Sequence, residues 1–102
     1  MIGKAFLAAF AGALFIATSA SAGEYGRFVD GKGAEETYYA CTGCHSEMLV
    51  VQQGLSRERW DELIDWMIDE QGMPELDQDE REVILDYLSK NYGPDRPNFP
   101  RP

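Results

Sequence analysis

The sequence Cys41-Thr42-Gly43-Cys44-His45 decides how the rest of the chain is interpreted. Cys-x-x-Cys-His is the attachment sequence for a c-type haem. On one helical turn, Cys41 and Cys44 would be i and i+3 neighbours, so their thiols could reach two adjacent vinyl groups on one porphyrin edge. His45 follows immediately and can bind the iron as the proximal ligand, a common role of histidine in haem proteins. The motif therefore predicts one covalently attached haem c.

Two cysteines three residues apart also occur in zinc sites and in thiol–disulfide oxidoreductases. A structural zinc site needs about four protein ligands, whereas the chain has two cysteines and one histidine in total. A thioredoxin-like site needs its Cys-x-x-Cys within a βαβ pattern, and the sequence contains no segment that reads as such a strand. Haem attachment is therefore favoured. Because thioether bonds would use both thiols, we expect no disulfide.

The N-terminal segment is typical of a secretory signal peptide. Lys4 is the only charged residue among the first 23, an apolar run covers residues 5–17, and Thr-Ser-Ala-Ser-Ala follows at 18–22. This pattern predicts a signal peptide over residues 1–22, cleaved after Ala22. An uncleaved anchor is the alternative, but a spanning helix needs ~20 apolar residues. We therefore expect no stable membrane anchor after cleavage. Because c-type haem is attached outside the bacterial cytoplasm, we expect the protein to be periplasmic.

The remaining residues, 23–102, form a small and strongly acidic chain. They hold all 18 acidic residues and eight basic ones, so their net charge is 8 minus 18, or −10. This charge disfavours nucleic acid and anionic lipid, and it would steer the protein toward a basic protein partner; solubility alone explains it equally well. Domains this small bury only about 60% of their unfolded surface and often need a staple, which a covalent haem would supply.

Hydrophobic periodicity predicts an all-α domain over residues 23–92 with three main helices. Residues 23–32 have three glycines and no periodic stripe, which indicates an irregular lead-in. From Gly33 a first helix, with acids in its first turn, is expected to carry the Cys-x-x-Cys-His motif at its C-terminal end. Residues 48–53 (MLVVQQ) are interpreted as a loop that packs on a haem edge.

The second helix is predicted to begin after an N-cap at Ser56 and to end at Gly72. Its apolar face would consist of residues spaced at i, i+3, i+4, i+7 and i+8: Trp60, Leu63, Ile64, Met67 and Ile68. Acidic residues expected to form a solvated face are Glu58, Asp61, Glu62, Asp65 and Asp69.

The third helix opens with Asp77 and Glu80, which resemble a capping box, and Gly93-Pro94 stops it. Its inner stripe is predicted to comprise Val83, Ile84, Tyr87, Leu88 and Asn91. Residues 93–102 hold four prolines, so an extended, polyproline-like tail is expected. This tail either frays or lies against a partner with Phe99 as its anchor.

The second axial ligand of the iron is sought among three methionines, because a thioether is the usual partner of histidine in electron-transfer haems. Met48 is too close to His45 to pass around the porphyrin rim. Met67 lies within an apolar stripe, where methionine is more often core filler. Met73 lies past the helix end before Pro74, which favours an extended backbone at Met73. Met73 is therefore the favoured ligand, and Met67 and an open iron site remain alternatives.

Ligation of the iron by His45 and Met73 would leave no vacant position, which predicts outer-sphere electron transfer and no enzymatic activity of the chain itself. An open iron would instead predict binding of gases or peroxide. Arg57, Arg59 and Trp60 are candidate partners of the haem propionates, since guanidinium and indole N–H groups suit carboxylates. For Trp60 a core position is equally compatible with the sequence.

The chain resembles the small class I cytochromes c. The likeness rests on three helices, Cys-x-x-Cys-His on the first, Met73-Pro74 after the second, and Gly33 eight residues before Cys41. Thr37 stands where that family usually has an aromatic residue, with Tyr38 beside it, so the contact between the first and last helices is expected to be shifted. The resemblance implies a class I cytochrome c fold around the haem.

A more particular resemblance is to the haem c subunit of sulfite dehydrogenase, carried by the segments CTGCHSE, LSRERWDELIDWM, QGMPEL, ILDYL and NYGPDRPNFP. It implies that Cys41 and Cys44 are thioether anchors and that His45 and Met73 bind the iron. It further implies partners: a molybdenum-cofactor sulfite dehydrogenase subunit that donates electrons and a downstream cytochrome c that receives them. A free-standing cytochrome shuttle, or a cytochrome subunit of another periplasmic dehydrogenase, is the alternative.

Overall fold

The computed structural model describes residues 23–100. Helices take up 53% of these residues, and the only β-type pairing within them is an isolated bridge between Gly23 and Gly26. The helices are α1 (Ala34–Cys41), α2 (Met48–Val51), α3 (Arg57–Gln71) and α4 (Gln78–Asn91). The all-α prediction is confirmed. The predicted signal peptide at 1–22 lies outside the described residues, and none of the helices described is long and apolar enough to cross a bilayer.

The first and last main helices pack against each other where α1 begins. Gly33 precedes α1 with a φ of 96°, in the left-handed region. A Cβ atom at Gly33 would lie 2.7 Å from Cβ of Tyr87 and 3.0 Å from the carbonyl oxygen of Val83, both on α4. Thr37, one turn into α1, is fully buried. Because Gly33 has no side chain, the backbone of α1 can lie directly on α4.

Local capping rules fix the ends of α3 and α4 as the sequence predicts. Oγ of Ser56 accepts a hydrogen bond from the amide of Arg59, and Oδ1 of Asp77 accepts one from the amide of Glu80. Each bond satisfies an amide that the first turn of a helix leaves without a partner. Gly72 ends α3 in the left-handed conformation, with a φ of 80°.

Two tyrosines of the core bind the irregular lead-in to α4. The hydroxyl of Tyr87 donates to the carbonyl oxygen of Val29 at 2.6 Å, and the hydroxyl of Tyr92 accepts from the amide of Val29 at 3.1 Å. Phe28 packs edge-on against Tyr87. Both hydrogen-bonding groups of the Val29 backbone are therefore paired with tyrosine side chains. These bonds hold residues 23–32 in place although they form no helix.

The acidic residues of α3 were expected to face solvent, but two of them are bound to an arginine of α4. The guanidinium of Arg81, 15% exposed, contacts carboxylate oxygens of Asp61 at 2.7 Å and Asp65 at 2.8 Å. Arg57 makes the converse contact, from α3 to Glu82 and Asp86 of α4. These ion pairs cross the α3–α4 interface, so part of the acidic residues serves helix packing.

Two local predictions differ from the structure: residues 48–53 were expected to form a loop, and the Cys-x-x-Cys-His motif was expected on the last turn of the first helix. Residues 48–51 form the short helix α2, because Val50 and Val51 are buried against the core and Oγ of Ser46 accepts from the amide of Met48 at the start of the turn. Helix α1 ends at Cys41, so Cys44 and His45 lie in the loop that follows rather than on the same helical turn.

The tail is folded into turns, so the extended conformation predicted for residues 93–102 is wrong where the structure describes it, up to 100. The amide of Arg96 donates to the carbonyl of Gly93, and that of Phe99 donates to the carbonyl of Arg96. The side-chain amide of Asn98 donates to the carbonyl of Asn91, and the guanidinium of Arg96 lies 4.7 Å from the Phe99 ring centre. These contacts hold the tail against the end of α4.

Candidate functional site

A cavity of about 460 Å³ lies between the α1–α2 loop, α3 and the segment after α3. Its wall contains all four residues that the sequence singles out: Cys41, Cys44, His45 and Met73. The rest of the wall is largely apolar and comprises Leu49, Val50, Gln53, Trp60, Leu63, Ile64, Trp66, Met67, Gln71 and Leu88. Its volume lies in the usual range of roughly 300–1,000 Å³ for ligand sites. The four residues thus share one apolar recess.

The backbone carbonyl of the next residue, Ser46, orients the imidazole of His45. Its Nδ1 lies 3.1 Å from the carbonyl oxygen of Ser46. A carbonyl oxygen can only accept, so Nδ1 is the donor in this contact, and the neutral ring then has its lone pair on Nε2. Metal-binding histidines commonly donate their other ring N–H to a carbonyl in this way. This contact therefore favours the tautomer that can bind a metal through Nε2.

The two thiols differ in environment. Cys41 is the last residue of α1 and is partly buried, whereas Cys44 lies exposed in the loop. Burial raises the pKa of the Cys41 thiol to about 11, because an apolar environment disfavours the thiolate. Cysteines of thiol–disulfide oxidoreductases generally have a lowered pKa. The environment of Cys41 thus disfavours the thioredoxin-like alternative.

Met73 is held at the cavity by the way α3 ends. The amides of Gly72 and Met73 both donate to the carbonyl oxygen of Met67, and the side chain of Met73 is 9% exposed. The left-handed conformation of Gly72 turns the chain so that Met73 leaves the helix and enters the cavity wall. Met67 lines the same cavity, so both thioethers considered in the sequence are present there. Met48 is not among the lining residues.

Exposed apolar side chains gather around this cavity. The large apolar residues that are most exposed within residues 23–100 are Tyr39, Leu49, Trp66 and Phe99. Leu49 and Trp66 line the cavity, and Tyr39 lines a neighbouring one of about 340 Å³ that shares Cys41, Cys44 and Met73 with it. Phe99 is covered by Arg96. Contiguous apolar surface usually marks a ligand or partner site.

The three side chains that were predicted to contact the haem propionates have other partners in the structure. Nε1 of Trp60 donates to the carbonyl oxygen of Tyr92 at 3.0 Å, so the indole N–H belongs to the core while the ring lines the cavity. Arg57 pairs with Glu82 and Asp86, and Arg59 pairs with Glu62 of its own helix. Among residues 23–100, no lysine or arginine lines either cavity.

Two residues of the site wall were not predicted from the sequence, Trp66 and Gln71, whereas Leu49 and Gln53 belong to the run 48–53 that was expected to pack at the site. Leu49 lies in the apolar run 48–51, but only the folding of α2 turns it outward from Val50 and Val51. Trp66 lies off the apolar stripe of α3, and a large aromatic residue outside such a stripe is the signal that could have identified it.

The residues present fit a covalently bound haem. Two thiols, an imidazole with a free Nε2 and a buried thioether line one apolar recess. This is the donor set that haem attachment and axial ligation use. Across residues 23–100 no three His, Cys, Asp or Glu side chains lie close enough together to hold a metal ion by themselves.

Comparison of the chain with protein-family models, with curated proteins and with solved structures gives no match.

Proposed function

We propose that the chain is a periplasmic c-type cytochrome that carries one haem c and transfers electrons. The observation that supports this most is the presence of Cys41, Cys44, His45 and Met73 in the wall of one apolar cavity. Cys41, Cys44 and His45 lie within five residues of one another, and Met73 reaches them from the segment after α3, so folding brings a thioether to the Cys-x-x-Cys-His motif. Export through residues 1–22 belongs to the same proposal, because covalent haem attachment takes place outside the cytoplasm.

Each residue has a distinct task in this proposal. The sulfurs of Cys41 and Cys44 would anchor the haem covalently, and Nε2 of His45 and Sδ of Met73 would bind its iron. The bound haem supplies reversible one-electron chemistry. The apolar side chains Val50, Leu63 and Ile64 exclude water, and the carbonyl of Ser46 keeps the proton on Nδ1.

The class I cytochrome c fold is part of the proposal. The main helices α1, α3 and α4, the close contact of Gly33 with α4, and a methionine followed by proline after α3 support it. Thr37, at the position where that family usually has an aromatic residue, lies buried at the contact, while Tyr38 packs edge-on against Phe28.

We further propose that the electron donor is a molybdenum-cofactor sulfite dehydrogenase subunit and the acceptor a downstream cytochrome c. This part rests on the resemblance of WDELIDWM and GPDRPNFP to the haem c subunit of that enzyme. The chain itself would then perform no sulfite chemistry. Met73 is buried at the cavity, which favours this role over an open iron site that binds gases.

Purification of the mature protein from its own cells tests the proposed function. The haem should be reduced by sulfite when the molybdenum protein is present and should stay oxidised when it is removed. Reduction by sulfite that is indifferent to that partner would contradict the proposed donor. Reduction by a different substrate and partner would support the alternative, a subunit of another dehydrogenase. Binding of carbon monoxide to the reduced protein would favour an open iron site.

A further inference from the structure

Trp66 is a large aromatic residue of α3 that does not belong to the buried face of the helix. Ile64, two residues earlier, is buried, and two residues correspond to about 200° around a helix. Trp66 therefore leaves the helix away from the buried Ile64, on the flank beside Leu63, which lies three residues earlier and also lines the cavity. Trp66 itself lines the 460 Å³ cavity and is 50% exposed. The indole thus forms the outer border of the cavity, with one side toward solvent.

Carboxylates surround this indole on the surface of α3. Glu62 and Glu70 lie four residues before and after Trp66, and Asp69 lies three after it, which makes them its surface neighbours. Glu62 is paired with Arg59. Asp69 and Glu70 are exposed, and neither has an ion-pair partner among residues 23–100.

The cationic side chains lie mainly elsewhere on the molecule. Arg57 and Arg81 are bound to carboxylates across the α3–α4 interface. Lys32 and Lys90 line a separate cavity of about 200 Å³ beside α4, and Arg96 covers Phe99. The border of the main cavity is thus an aromatic ring among acidic groups, and it would attract a basic surface.

We propose that Trp66, Asp69 and Glu70 form the docking surface for an electron-transfer protein whose contact face carries lysine or arginine. The inference rests on the proposed function, since it names the kind of partner that this site exchanges electrons with. A cationic side chain of the partner packs on the indole, and others pair with the two carboxylates. Tryptophan and arginine are the residues that most often dominate such contacts.

Electron exchange between the reduced holo-protein and an oxidised lysine-rich cytochrome c, followed by stopped-flow absorbance, tests this docking surface. At low ionic strength, Asp69→Lys/Glu70→Lys should lower the second-order rate constant about tenfold, because it reverses the local attraction. Trp66→Ala should lower it about fivefold through the lost cation–π contact. High salt should remove most of the first difference.

A control variant isolates the local effect. Glu58→Lys/Asp79→Lys makes the same change in net charge at exposed residues that line neither cavity near the cysteines. It should leave the rate constant within about twofold of the wild type. An equal effect of the two charge reversals, or a Trp66→Ala rate equal to the wild type, would overturn the docking surface.

The haem absorbance of each variant before mixing separates two failures. Absence of haem from the wild-type protein would contradict the proposed function. Full haem content with rates that are insensitive to Trp66, Asp69 and Glu70 would overturn the docking surface alone.

Discussion

At the scale of single residues, the two methionines of the cavity have different constraints. The carbonyl of Met67 accepts hydrogen bonds from the amides of Gly72 and Met73, so the two residues are joined through the backbone. Met67 is nevertheless fixed on α3, whereas Met73 lies on the segment that leaves it. A residue on that segment can move without moving the helix, which is the reason for proposing Met73 rather than Met67 as the axial ligand.

Replacement of Met73 should abolish the thioether-to-iron charge-transfer band of the oxidised protein. Met73→Ala is expected to lose this band and to gain binding of carbon monoxide in the reduced state, because the axial position becomes free. Met67→Ala serves as the control and should keep the band, since it removes a cavity-lining side chain of the same type. Loss of the band in Met67→Ala and its retention in Met73→Ala would show that Met67, and not Met73, is the axial ligand.

The buried hydroxyl of Thr37 destabilises the folded protein, and a single substitution should remove this effect. Its side chain is fully buried, and within residues 23–100 its hydroxyl has no hydrogen-bond partner. A buried hydroxyl without a partner costs about 1–3 kcal/mol, and valine has nearly the same shape. Thr37→Val should therefore raise the free energy of unfolding by about 1 kcal/mol in urea titrations.

Thr42→Val provides a matched control for Thr37→Val with the opposite sign. Oγ1 of Thr42 donates to the carbonyl of Tyr38 at 2.6 Å, so its removal should lower the free energy of unfolding by about 1 kcal/mol. Destabilisation by Thr37→Val as large as that by Thr42→Val would mean that the Thr37 hydroxyl is satisfied in solution.

At the scale of helices, Gly33 is the residue through which α1 approaches α4. An alanine there would adopt a left-handed backbone and would place its Cβ 2.7 Å from Cβ of Tyr87. Gly72 has a similar φ, but a Cβ there would meet nothing within 4 Å. Gly72→Ala therefore isolates the backbone cost from the steric one.

Gly33→Ala should destabilise the holo-protein by about 3 kcal/mol, and Gly72→Ala by about 1 kcal/mol. The free energies of unfolding from guanidinium titrations give the comparison. Equal effects of the two substitutions would show that α1 and α4 do not touch at Gly33 in solution.

Helix ends are predictable from the sequence because they depend on local chemistry. Ser56, Asp77 and Gly72 cap α3 and α4 through residues within one turn, so the sequence contains all the information that is needed. The cavity residues Cys41 and Met73 are predictable for another reason: the haem motif and the Met-Pro pair are chemical signals that do not depend on folding.

Long-range contacts explain what the sequence did not reveal. The short helix α2 forms because Val50 and Val51 are buried by parts of the chain far away in sequence. The tail turns back because Asn98 reaches Asn91 and Arg96 covers Phe99. Trp66 joins the cavity only through the position of α3 beside the Cys-x-x-Cys-His loop. None of these contacts has a periodic signal.

At the scale of the whole molecule, the tyrosine contacts to Val29 make stability sensitive to alkaline pH. The pKa of Tyr87 is raised, first by burial and then by its neighbour Tyr92. A raised pKa in the folded state means that this stabilisation is present below the unfolded pKa of about 10 and is lost as the pH rises beyond it.

The thermal midpoint of the wild-type protein should therefore fall more steeply above pH ~10 than that of Tyr87→Phe. At neutral pH, Tyr87→Phe should be less stable by about 1–3 kcal/mol, because the Val29 carbonyl loses its donor. Tyr39→Phe, at a largely exposed ring, is the control and should retain the wild-type pH dependence. Parallel pH profiles of wild type and Tyr87→Phe would refute the role of Tyr87.

The mass of the mature chain tests the central claim most directly. The chain is produced in cells with the haem-attachment machinery and analysed intact after denaturation, beside Cys41→Ala/Cys44→Ala as the control. The wild type should carry the added mass of one haem, because two thioether bonds survive denaturation, and the control should carry none. A wild-type chain at its unmodified polypeptide mass would contradict the account.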